Sequence, residues 1–385
     1  YCKLSLLAVL SLITACCMLS RRWYVNLAAF LACLSGETFL AHLFFPGYML
    51  CPAAASFIIL FLSRIWDLSR TPAKGNGADP IRLPVRSGIR ESRLEFHYHY
   101  SNFLVYGGAG SGKTKSIGKW LLSEYMRLGF AGFIYDFKDT DYTRTAYNLI
   151  KRHRYPHKFY YVSFDRPERS YRFNPLKVVR DRTELIQLME DVLLALLPKK
   201  EQQNEWVAGG LGILRGVAFR FWDEFPEHCT LPHILAFIMT ASARQLSLFL
   251  QQNLVSEMLA GAYLKAEGSE KTQASYLSTL CNNLATVSQN EEIAYVLSGD
   301  DFDFNLIDPE NPKLFAVSNN FSKNSVYAPV ISMLMTISAR QFSMQNRVPF
   351  VYFLDEMTTV NIKNFETLPS VLREYKAAFI LLTQS

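Results

Sequence analysis

Eight consecutive residues, Gly107-Gly108-Ala109-Gly110-Ser111-Gly112-Lys113-Thr114, match the pattern G-x-x-x-x-G-K-[ST] in full. Such a run can bind the tail of a nucleoside triphosphate. Glycines let backbone N–H groups wrap the phosphate oxygens, a lysine ammonium reaches the β and γ phosphates, and a hydroxyl ligates Mg2+. Lys113 and Thr114 are the candidates for the last two tasks. Gly107, Gly108, Ala109, Gly110, Ser111, Gly112, Lys113, Thr114 and Lys115 form the candidate ATP-binding set. A second group lies far along the chain, where the apolar run Phe350–Leu354 ends in Asp355-Glu356. There Asp355 would hold Mg2+ through water, and Glu356 would orient or deprotonate the attacking water. A third follows the apolar run Ala377–Leu382: Gln384 is placed to sense the γ phosphate. Arg373, just before that run, is placed to reach a neighbouring subunit's nucleotide. The candidate catalytic residues are therefore Lys113, Glu356, Arg373 and Gln384, with Thr114 and Asp355 at the metal.

Positioning these groups requires particular elements. Ser101–Tyr106 reads as a short strand and Lys115–Leu128 as a helix, the strand–loop–helix context that points a positive helix end at the phosphates. Phe350–Leu354 and Ala377–Leu382 read as neighbouring strands that deliver their side chains to the same place. Lys113 and Asp355 stand much further apart than a compact nucleotide-binding core requires. The intervening Arg182–Leu197, Gln203–Trp222, Leu231–Met239, Ala243–Leu264 and Lys271–Val287 carry apolar residues at helical spacing. An all-α insertion is expected, with the core resuming at Lys313–Val317. The expected organisation is an anchor over 1–68, a basic linker over 69–94, nucleotide-binding segments over 95–180 and 309–385, and the helical insertion over 181–308.

The anchor rests on composition. Leu4–Leu19, Trp23–Phe45 and Tyr48–Trp66 are apolar stretches of the length needed to span a bilayer, about 20 residues at 1.5 Å each, so three passes are expected. Arg21-Arg22 and the basic run from Arg64 onward mark cytoplasmic flanks. A cleaved leader fits less well, because further apolar segments follow the first. Glu37 and His42 fall inside the second stretch, where an ionisable group is a functional candidate, and pairing between packed helices of an oligomer is the favoured reading. Of seven cysteines only Cys229 and Cys281 lie in the body, and no C-x-x-C pair exists, which excludes a disulfide framework and a zinc ribbon. A net charge of +6 does not by itself indicate a nucleic-acid binder. His97 and His99 lack a third metal ligand nearby, and Lys151-Arg152-His153-Arg154 reads equally as a contact for phosphate backbones or as a solvated helix end. Leu297-Ser298-Gly299-Asp300-Asp301 is faintly similar to the transporter signature LSGGQ but lies too far ahead of Asp355 for that role.

Taken in order, the apolar head, the GGAGSGKT loop, YDFKD with Asp136 and Lys138, RFNPL with Asn174 and Pro175, FLDE, and LPSVLREYKAAFILLTQS resemble the TraG/TraD-type coupling proteins of type IV secretion, relatives of the FtsK and HerA pumps. Where that family has Asp-Pro-Lys, Lys138 here follows Phe137. Members also continue past the glutamine, so further strands of the nucleotide domain are expected beyond Ser385. The resemblance implies an α/β fold: a RecA-like P-loop NTPase core with a parallel sheet, the all-α insertion and N-terminal transmembrane helices. It implies a homo-hexameric ring in the bacterial inner membrane, with ATP and Mg2+ bound between subunits in the cytoplasm. The implied partners are single-stranded DNA, a relaxase and the type IV secretion channel. A receptor recruiting protein effectors to such a channel is the alternative from another class.

Overall fold

The computed structural model describes residues 79–385, apart from 88, 89, 109, 139, 198–201, 203, 363 and 385. The expected membrane passes within 1–68 lie outside the described residues. Among the described residues no helix is long and apolar enough to cross a membrane.

Six strands form one sheet: β3 (Phe103–Tyr106), β4 (Ala131–Asp136), β5 (Lys158–Ser163), β6 (Lys313–Ser318), β7 (Phe350–Leu354) and β8 (Ala377–Thr383). Their spatial order is β3-β8-β7-β4-β6-β5 and every pairing is parallel. A parallel sheet covered on both faces needs strands that are apolar throughout, and β4, β6 and β7 are buried at every position. Alternate side chains feed two cores. Ile134, Val351, Phe353 and Ile380 pack with α1 (Lys119–Arg127) and α2 (Asp141–His153). Phe133, Phe315, Tyr352 and Phe379 face the other way, where Tyr352 stacks on Phe379 at 4.7 Å between centroids.

This second core runs without a break into the inserted helices: α3 (Arg182–Leu196), α4 (Glu205–Glu224), α5 (Leu231–Thr240), α6 (Ala243–Gln251), α7 (Leu254–Leu259), α8 (Gly261–Lys265), α9 (Glu270–Ser288) and α10 (Glu291–Leu297). Side-chain caps set their starts: Asp181 for α3, Asn204 for α4, Thr230 for α5, and Ser242 with Gln245 as a capping box for α6. The apolar spacing over Ala243–Leu264 suggests a single helix. The chain instead breaks into three, because the Asn253 side chain accepts hydrogen bonds from the Val255 and Ser256 amides and starts a new helix there. α11 (Asn324–Arg340) follows β6 and packs on α3, and α12 (Leu368–Glu374) precedes β8.

The stretch expected to be a basic linker is built from Ile81 onward. β1 (Ile81–Ser87) and β2 (Arg90–Phe96) form an antiparallel hairpin, and Ile81 is buried against α1. Glu124 of α1 accepts the Arg82 amide at 2.8 Å and the Arg127 guanidinium at 2.9 Å, which docks the hairpin. The LSGGQ-like segment also has a structural task. Asp301 accepts the Arg172 amide at 2.7 Å and Asp300 pairs with Lys177 at 2.6 Å, tying the end of the insertion to the RFNPL segment. His97 and His99 lie beyond the end of β2, and His99 bonds the Asp79 carbonyl.

Candidate active site

The strand register brings the predicted groups to one edge of the sheet. Tyr106 pairs with Thr383, Leu354 with Leu381, and Tyr135 with Leu354. The residues that follow, Gly107, Asp355 and Gln384, therefore leave the sheet side by side, together with Asp136 at the end of β4. The glycine loop is held to β8 by the Gly107 amide, which donates to Thr383 at 3.3 Å. Gly110 and Gly112 have φ of +73° and +82°, a conformation L side chains resist. Lys113 is 8% exposed, and its ammonium folds back to donate to the Gly107 carbonyl. The helix then begins with one widened turn, Thr114–Gly118, before the α-helical geometry of α1. Gly118 is required there, because a Cβ at that position would lie 2.4 Å from the Tyr142 hydroxyl. Gly108, Ser111 and Lys115 are exposed around the loop, while Ala109 lies outside the described residues.

Glu356 is the hub. It is 6% exposed, adopts a left-handed φ of +49°, and is pinned through its carbonyl, which accepts the Thr359 hydroxyl at 2.7 Å and the Thr359 amide at 2.9 Å. One carboxylate oxygen, Oε1, accepts the Gln384 amide; the Lys138 ammonium lies 3.7 Å from it and that of Lys113 4.0 Å. Tyr135 of β4 bonds the Thr359 hydroxyl at 2.6 Å, and Asn319 bonds the Tyr135 hydroxyl at 2.9 Å, so β4 and the end of β6 brace the turn.

Beside it stand two buried carboxylates. Asp136 is held by the amide and hydroxyl of Thr143, both at 2.8 Å. Asp136 Oδ1 and Asp355 Oδ2 are sealed from solvent with no hydrogen-bond partner among the described residues. Desolvation pushes the Asp355 carboxyl up to about 7. The negative charges of Asp136 and Glu356 add to that rise, while Lys138 and Lys113 oppose it. The folded chain thus holds this proton more tightly than the unfolded chain does. It gains stability below the ordinary carboxylate range and loses that gain as pH climbs towards 7. Asp355→Asn is accordingly expected to raise the thermal midpoint at pH 8, with chelator present, on the order of 5 °C. At pH 4 it should leave the midpoint nearly unchanged. Melting curves at the two pH values check this.

These groups fit a nucleotide–Mg2+ complex on this chain's own chemistry. An orphaned Asp355 oxygen and the Thr114 hydroxyl lie beside a glycine loop made for phosphate. Among the described residues no cluster of three or more His, Cys, Asp or Glu could hold a metal ion. Arg373 is the one predicted residue not brought here. It is exposed on α12, before β8, at the opposite end of a seven-residue strand from Gln384, roughly 20 Å away. Asp136 and Lys138, landmarks of the resemblance, stand beside the predicted groups. An acid and a lysine two residues apart at a strand end is the signal that marks them.

Comparison with known proteins agrees with this geometry. No curated protein matches the chain. Among solved structures, the bacterial conjugative coupling protein TrwBdeltaN70 in complex with sulphate aligns with a TM-score of 0.57 at 16% identity, covering 75% of this chain and 64% of that one. The plasmid coupling protein TrwB in complex with ADP and Mg2+ aligns at 0.57 and 16%, covering 74% and 63%. Its complex with the non-hydrolysable ATP analogue ADPNP aligns at 0.59 and 16%, covering 81% and 75%. The chain thus spans less than two thirds of the length of the first of these, and the likeness is one of fold. The profile of the family described as type IV secretory system conjugative DNA transfer matches residues 81–385, nearly all of the described part, and the chain belongs to that family.

Proposed function

We propose that this chain is an ATPase that couples hydrolysis to delivery of single-stranded DNA, with its relaxase, into a type IV secretion channel at the bacterial inner membrane. The convergence of Lys113, Asp355, Glu356 and Gln384 on one edge of a parallel sheet carries the reading. The family's description adds the cargo class, and the TrwB complexes with ADP and Mg2+ and with ADPNP make ATP and Mg2+ the natural ligands.

The glycine-loop amides and Lys113 bind and orient the triphosphate, and the buried setting strengthens each of these contacts. Bound Mg2+ would supply positive charge to offset that of the phosphates. Thr114 and Asp355 would hold it. Glu356 receives a proton from the attacking water, and Gln384 reads the γ phosphate from the adjacent strand. The opposite placement of Arg373 suits action on a neighbour's nucleotide, in a homo-hexameric ring with ATP between subunits. Movement of DNA would use phosphate contacts that do not depend on sequence. The 1–68 segment supplies the multi-pass anchor.

The test is ATP hydrolysis by the full-length chain in detergent, with and without single-stranded DNA. Several-fold stimulation is expected, falling as salt rises. A rate indifferent to DNA but raised by an effector protein would replace this reading with that of a receptor.

A further inference from the structure

Three donors meet on the same atom of Glu356. The Gln384 amide, the Lys138 ammonium and the Lys113 ammonium all face Oε1. Oε2 makes no hydrogen bond among the described residues, and it is not one of the sealed, unpartnered atoms. The two oxygens are thereby divided: one is clamped, and the other has no partner among the described residues.

The three donors do not have equal claims on that clamp. Lys113 already bonds the Gly107 carbonyl and lies furthest from Oε1, and its place in the loop assigns its charge to phosphate. Gln384 is neutral. Lys138 is a cation with no other ion-pair partner among the described residues, and it stands on the short segment between β4 and α2. The same strand supplies Tyr135, which braces the Glu356 turn from the other side through Thr359.

We infer that Lys138 is a positioning residue: its ammonium fixes the Glu356 carboxylate through Oε1 so that Oε2 is aimed at the attacking water. This rests on the ATPase reading above. Lys138 does not touch the water or nucleotide; it acts through Glu356. Its side chain is 45% exposed, so removing it empties no core. A fold defect is not expected.

The experiment measures ATP hydrolysis and binding of a non-hydrolysable ATP analogue by the full-length chain carrying Lys138→Met, Lys138→Arg, Glu356→Gln, or Lys138→Met with Glu356→Gln. Lys138→Met should lower kcat by roughly 10- to 100-fold, the scale of a small misplacement of a reacting group. Analogue affinity should stay within about twofold, and Lys138→Arg should recover most of the rate. In the Glu356→Gln background, adding Lys138→Met should cost nothing more, because the two act as one unit. The inference is overturned by a Lys138→Met kcat within about twofold of the unsubstituted chain, by a matching loss of analogue affinity, by Lys138→Arg as slow as Lys138→Met, or by a further loss in the Glu356→Gln background. An unsubstituted chain that hydrolyses no ATP overturns the ATPase reading itself and this role with it.

Discussion

Lys113→Ala is expected to lower ATP hydrolysis by roughly 10²- to 10³-fold, the usual cost of deleting a preorganised donor from a water-poor site. Lys113 is almost wholly buried and points into the glycine loop, so no neighbouring side chain can substitute for its charge on the phosphates. The other cation at Glu356 among the described residues, Lys138, stands beyond it on the β4 side. The loss should appear in kcat and in nucleotide affinity together, because Lys113 faces the triphosphate both before and during reaction. DNA transfer should fail in the same variant while insertion of the chain into the membrane is retained. Steady-state hydrolysis, analogue binding and a mating assay check these points, and transfer that persists without hydrolysis would remove the motor from the account.

Arg373→Ala should cost even more, on the order of 10³-fold or beyond in kcat, if the guanidinium meets a neighbour's γ phosphate in the transition state. Sheet polarity is the reason. Gln384 leaves β8 at the catalytic edge and Arg373 lies on α12 ahead of the far end of β8, a placement that suits donation to a neighbouring subunit's nucleotide. Mixed assemblies give the decisive readout. Arg373→Ala subunits keep an intact nucleotide pocket and Lys113→Ala subunits keep an intact arginine, so mixing the two should restore activity that neither shows alone. No rescue at any ratio would sink the trans arrangement.

The local chemistry of the site was legible in the sequence because it is encoded in contiguous residues. The run Gly107–Thr114, the strand Phe350–Leu354 ending in Asp355-Glu356, and Gln384 after the last strand needed no tertiary information to find. The parallel core was legible for a similar reason, since β4, β6 and β7 are buried at every position and apolar except at ends such as Asp136, Lys313 and Ser318. Lys138 was harder to see. Its partner Glu356 is distant in sequence, and only the β4–β7 register brings the two together. The helical insertion showed its periodicity but not its breaks, because a polar residue inside an amphipathic pattern reads equally as a solvated position or as a cap. Asn253 turned out to be a cap. The hairpin at Ile81–Phe96 was concealed by its charge: Arg82, Arg93 and Glu95 mimic a solvated tether, while buried Ile81 and the Arg82 amide on Glu124 fasten it to α1.

The sheet order imposes a timetable on biosynthesis. β4 sits between β7 and β6, both of which emerge from the ribosome only after the entire helical insertion. For that interval its apolar face lacks both neighbours, and closing so long a loop costs entropy before any pairing repays it. Nascent chains of this protein are therefore expected to occupy chaperones heavily, and refolding from denaturant should recover helical signal well before nucleotide binding.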